Sequence, residues 1–173
     1  SYATIVMNDN PSAFWRFDET SGTNAFDVAG GHDGTYITGS NGGGFTLGAP
    51  SLINVPNPAV NLSAGSGFHL GGKVQVPYSP TLNPSGPFSI ECFCVPNFDG
   101  NNGIGTLASS AIRSPGKLGW YMGGGLGSVV WDFGLDSGSV EQHADGGPVV
   151  APGIERYVVG GYDGTDGLLY VDG

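Results

Sequence analysis

In "WDFGLD", Asp132 and Asp136 stand four residues apart, and in "FDET" Asp18 and Glu19 are neighbours. Glycoside hydrolysis needs two carboxylates flanking the scissile bond. Gly134 interrupts the first pair, and the second points to opposite faces of a strand, so both read as surface or turn carboxylates and no catalytic pair is assigned. A GxSxG nucleophile elbow is absent, and His32, His69 and His143 lie in glycine-rich stretches without metal-ligand spacing. Such histidines are ordinarily solvated.

Binding chemistry is better represented. Sugars are recognised by flat aromatic faces set against the apolar faces of the ring, with Asp, Asn and backbone groups taking the hydroxyls. Trp120, Tyr121, Trp131 and Tyr78 are the aromatic candidates, and Asp132 adjoins Trp131. Alternation along a strand turns one of Trp120 and Tyr121 outward and the other inward, and separates Trp131 from Asp132 in the same way. Trp120, Tyr121, Trp131 and Asp132 are therefore the candidate ligand-binding residues, although aromatic side chains in a sheet more often build core, as Trp15 is expected to do. A third chemistry is offered by "DVAGGHDG" (27–34), an acidic glycine-rich loop able to wrap carboxylate and carbonyl oxygens around Ca²⁺, which wants six to eight of them. EF-hand spacing is absent.

The elements that must hold these groups are short and extended. Gly and Pro number 33 and 12 of 173 residues, yet 39% of the chain is hydrophobic, with three Trp, seven Tyr and nine Phe. A chain this apolar folds, and one of this length buries roughly 70% of the surface its unfolded form exposes. Alternation and turn residues predict strands at 13–18, 34–39, 73–79, 88–95, 106–112, 118–124, 128–135, 156–163 and 168–172. Asp-Gly occurs six times, beginning at 33, 99, 145, 163, 166 and 172, and favours hairpin turns. One or two helical turns are expected in "SYATIVMND" (1–9), ended by Pro11. The stretches 41–50 and 54–67 read as extended loops with little pairing. Without repeats or a break in composition, the reading is one antiparallel β-sandwich domain over 1–173.

Charge and cysteines narrow the partners. The formal charge is −10, which repels nucleic-acid phosphates and anionic membranes. Cys92 and Cys94 in "FSIECFCVPNF" share a strand face too far apart for a disulfide within one unbent strand, and are expected as two buried thiols. No run of 18 apolar residues suggests a membrane span, and no targeting signal is visible. The chain lacks an initiator Met and is expected to be a processed portion of something longer. Asn61 in "NLS" is an N-glycan acceptor if a eukaryotic secretory pathway makes the chain.

Five pieces in order, "AFWRFDETSG" (13–22), "AFDVAGGHDGTY" (25–36), "VQVPYSPTLNPSGPFSIECFCVP" (74–96), "GWYMG" (119–123) and "YVVGGYDGTDGLLYVDG" (157–173), resemble the laminin G-like, concanavalin A-like jelly roll family of lectins and glucanases, in its bacterial and viral branch. The resemblance implies two stacked antiparallel sheets, with Ile90, Cys92 and Cys94 on one side of their strand and Ser89, Glu91 and Phe93 on the other. It implies a structural Ca²⁺ held through Asp27 and Asp33; the alternative is that Asp33 is a turn residue before Gly34 and Asp27 a loop cap. The Glu, Asp, Glu strand of the family's glucanases has no counterpart. In the family, further strands follow "LYVDG", so closing strands are expected either beyond this chain or from another chain. The function expected is a non-catalytic binding or adhesion module, extracellular, on a cell surface or on a virion, with a glycan or polysaccharide as partner. The alternative is a structural or decorating jelly roll bound to a protein subunit of a larger assembly.

Overall fold

The computed structural model describes residues 1–40, 42–53, 56–64, 71–96, 105–111, 117–124, 130–138 and 141–173. Mostly β, with one short helix and several antiparallel sheets, it divides into two compact units, Ser1–Leu82 and Asn83–Gly173.

The first unit opens with helix α1 (Tyr2–Asn8), where the sequence places it; the Ser1 hydroxyl caps it by accepting the Thr4 N–H at 3.3 Å. Strands β1 (Asn24–Ala25), β2 (Gly34–Ile37), β3 (Gly44–Ala49), β4 (Ala59–Ser63) and β5 (Lys73–Gln75) follow, then a 3₁₀ turn at Pro80–Leu82. They form a sheet in the order β1-β2-β5 and a separate pair β3-β4. Tyr36 of β2 is the centre of this unit: it is buried, stacks on Phe45 of β3 at 5.2 Å, and donates its hydroxyl to Glu19 at 2.6 Å.

Two expectations fail in this unit. Residues 13–18 form no regular strand, only an isolated bridge between Trp15 and Asp27. The Phe14 N–H is taken by the Asp27 carboxylate, and Phe17 adopts a positive φ of 54° that interrupts extended backbone. Conversely, 41–50 and 54–67 contain the β3-β4 pair, whose register shifts between Thr46 and Ala49. That bulge disturbs the alternation by which a strand is recognised. Asn41, Asn54, Val55 and residues 65–67 lie outside the described residues.

The second unit holds β6 (Phe88–Cys94), β7 (Gly105–Ser109), β8 (Lys117–Gly124), β9 (Trp131–Gly138), β10 (Glu141–Gly146), β11 (Arg156–Tyr162) and β12 (Gly167–Val171). All but β10 were legible as strands, although Ile112, Ser128 and Val129 of the predicted segments lie outside the described residues. β10 carries "EQHADG", a polar run without apolar alternation, held at a sheet edge by six paired positions with β9. The sheets run β10-β9-β8-β7 and β12-β11-β6.

One core joins both sheets of this unit. Met122, Trp131 and Phe133 enter it from the four-stranded sheet, Cys94 and Val158 from the three-stranded one, with Val150 beside them. β6 alternates as expected: Phe88, Ile90, Cys92 and Cys94 meet the core, while Phe93 rests against Tyr157 at 4.6 Å, and Tyr157 donates its hydroxyl to Glu91. Both cysteines are free thiols, Cys94 buried and Cys92 only half-buried; the hydrogen bond that Cys94 donates to Cys92, with burial second, raises the Cys94 thiol above its ordinary value. Of the described Asp-Gly pairs, Asp163-Gly164 turns the β11-β12 hairpin, its carboxylate accepting the N–H groups of Thr165 and Asp166 at 2.7 and 2.8 Å. Asp33-Gly34 enters β2 and Asp145-Gly146 ends β10 instead.

Candidate functional site

On β9, Trp131, Phe133 and Leu135 alternate with Asp132, Gly134 and Asp136. Register places Tyr121 of β8 and His143 of β10 on either side of Gly134, on the face away from the core. A Cβ at Gly134 would overlap the Tyr121 ring, so only glycine lets that ring lie flat across the strand. The Tyr121 hydroxyl thereby reaches Asp132 Oδ2 at 2.7 Å and His143 Nδ1 at 2.9 Å, while His143 Nε2 stands 3.2 Å from Glu141. Partial burial opposes charge on His143, but the hydrogen bond and charge of Asp132, with Glu141 behind them, raise its pKa above the ordinary value. This cluster is closed on itself: its groups satisfy one another and lock three strands together.

The cleft borders the neighbouring rung of these strands, Trp120 with Leu135, on the face that packs toward the core. Phe88, Trp120, Leu135 and Tyr162 supply its apolar wall, and the space they border measures about 500 Å³, within the range of small-ligand sites. Trp120 and Leu135 are register partners across β8-β9, and Phe88 and Tyr162 across β6-β11, so each wall residue is fixed by a ladder. Phe88 sits 6.2 Å from Trp120 and 6.5 Å from Tyr162, linking them into one aromatic surface. Asn83, Ser85, Ser137 and Gln142 add polar groups at the rim.

Among the described residues Asp136 is the one formally charged residue bordering the cleft, and alternation along β9 turns its side chain to the face opposite Leu135. It is 7% exposed, and its Oδ1 is buried with no hydrogen-bond partner among the described residues. Its register partner is Gly119, against which the Ser110 carbonyl and Ala111 press so closely that a Cβ there would stand 2.8 Å from that oxygen. An unsatisfied buried acceptor costs about 1–3 kcal/mol, more when charged.

The acidic loop has a different occupation. Asp27 accepts the N–H groups of Phe14 at 2.7 Å and Ala29 at 3.0 Å on Oδ1, and that of His32 at 3.1 Å on Oδ2. Asp33 in turn accepts the Asp27 N–H at 2.8 Å. Asp27 is thus the knot that ties the N-terminal segment to the loop, with Trp15 Nε1 donating to the His32 carbonyl at 2.8 Å as a second tie. This donor set does not fit a Ca²⁺ cradle: the Asp27 oxygens face N–H groups, and among the described residues no cluster of three or more His, Cys, Asp or Glu could hold a metal ion. Beside the loop, Tyr78 is 79% exposed and lines a shallow depression of about 260 Å³ with His32 and Asp33.

The four candidate ligand-binding residues therefore part company. Trp120 lines the cleft, Tyr121 and Asp132 belong to the closed cluster, and Trp131 is fully buried in the core. Of Trp120 and Tyr121, neither is an open platform: Trp120 touches the core and the cleft at once, and Tyr121 is 3% exposed beneath its own hydrogen bonds. Asp136, set aside in the sequence as a surface or turn carboxylate, is buried on β9 beside the cleft; Tyr162 and Gln142 carried no signal, since long-range pairing alone brings them there. Comparison with protein-family models, with curated proteins and with solved structures finds no match.

Proposed function

We propose that this chain is a non-catalytic binding module of an extracellular, cell-surface or virion protein, and that the cleft at Trp120 takes a glycan. The observation that carries this reading is the continuous aromatic wall of Trp120, Phe88 and Tyr162 with the polar rim of Asn83, Ser85 and Gln142 beside it. An apolar ring face would lie on the wall, and ring hydroxyls would meet the polar groups of the rim. The shared core beneath both sheets of the second unit supports the finer architecture expected from the resemblance, a concanavalin A-like sandwich.

Binding to a panel of immobilised polysaccharides and soluble oligosaccharides tests the proposal. Saturable binding is expected, lost at least about tenfold in Trp120→Ala and unchanged by a chelator, because the Asp27 loop holds itself together through backbone hydrogen bonds. Uniform absence of binding by folded protein would overturn the glycan reading in favour of a protein partner in an assembly.

A further inference from the structure

We infer that Cys92 and Cys94 form a two-sulfur site on β6 that takes one soft, thiophilic metal ion of the monovalent copper class. Pairing of β6 with β11 is unbroken from Phe88 to Cys94, so no bulge turns either cysteine away, and both side chains meet the core side of the strand. The sulfurs are already in contact, Cys94 donating its thiol hydrogen to Cys92. A disulfide needs Cβ atoms about 3.8 Å apart, closer than an unbent strand brings them. A metal bridge asks for less. With metal–thiolate bonds of about 2.3 Å, as for zinc, the two sulfurs stand up to about 4.6 Å apart, a spacing that thiols in hydrogen-bond contact reach by small rotations of their side chains.

Sulfur ligands select soft ions such as Cu(I) over the hard cations that carboxylates and carbonyls hold. The ligand is the thiolate, and the hydrogen bond from Cys94 holds the Cys92 thiol below its ordinary value, against burial and the charge of Glu91. Cys92 is half-buried and Cys94 buried, so the ion enters at Cys92 and is completed by Cys94. On binding, both thiols release their protons to solvent, two sulfur–metal bonds form and no electrons are transferred. With a monovalent ion the site carries one net negative charge. Arg156, the register partner of Cys94, favours that charge, and Asp172, which accepts from Arg156 at 2.7 Å, opposes it.

The test is an anaerobic titration of the fully reduced chain with Cu(I) held by a chromogenic chelator, followed by native mass spectrometry. One ion per chain is expected to leave the chelator, with two protons displaced from the protein. Cys92→Ser and Cys94→Ser are each expected to weaken uptake by at least about a hundredfold, beyond what altering a group outside the ligand set costs. Full uptake by either variant would overturn the proposal, as would no uptake by the native chain. Displacement of bound Cu(I) by an equal concentration of Zn²⁺ would overturn it too, since a zinc site has more ligands than two thiols. The proton count needs no variant, so the proposal stays testable even if a serine variant fails to fold; an ion taken up with fewer than two protons displaced would overturn it. None of these outcomes bears on glycan binding, so this site and the cleft stand or fall separately.

Discussion

His143 holds its place through Asp132, Tyr121 and Glu141, and that arrangement ties stability to pH. Its pKa is raised on folding, so its contribution is complete below about pH 6.5, the unfolded value, and fades as pH rises through the higher folded value. The thermal midpoint of the native chain, relative to His143→Gln, is expected to fall between about pH 5.5 and about pH 8.5. The effect is small, under about 1 kcal/mol, because the side chain is 36% exposed. A difference that grows with pH would contradict the assignment. At this scale the sequence spoke unevenly. Alternation separated Trp131 from Asp132, but whether a carboxylate ends as a loop knot, like Asp27, or is buried on a strand with an unpartnered oxygen, like Asp136, depends on which N–H groups arrive from elsewhere in the chain.

Elements positioned by side-chain alternation were legible, and those positioned by partners were not. β6 announces itself because Phe88, Ile90, Cys92 and Cys94 feed one core, whereas β10 is polar on both faces and exists through its ladder to β9. Residues 13–18 show the converse: their alternation is strand-like, but Asp27 takes the Phe14 N–H that a ladder would need. Where the two sheets of the second unit meet, glycine is the spacer. A Cβ at Gly160 of β11 would overlap the Phe133 ring of β9, so Gly160→Ala forces the core apart. Urea unfolding is expected to show a loss of about 1–3 kcal/mol for Gly160→Ala, against a change within about 0.5 kcal/mol for Gly86→Ala, whose Cβ meets nothing within 4 Å. Similar values for the two would contradict this account of how the sheets approach.

At the scale of the whole chain, composition foretold a glycine-punctuated antiparallel β protein, and the formal charge of −10 argued against phosphate-bearing partners. Division into two compact units left no mark, because composition does not change near Leu82. The central claim, a glycan cleft in the second unit, has a direct spectroscopic readout in the three tryptophans. Trp15 donates its indole N–H to His32 in the first unit, Trp131 is fully buried, and only Trp120 borders the cleft. The decisive measurement is therefore a ¹H–¹⁵N titration of the three indole resonances with the oligosaccharide that binds best. The account predicts a saturable shift largest at Trp120, with Trp15 unmoved. A saturable shift confined to Trp15, or none with any glycan, would contradict it.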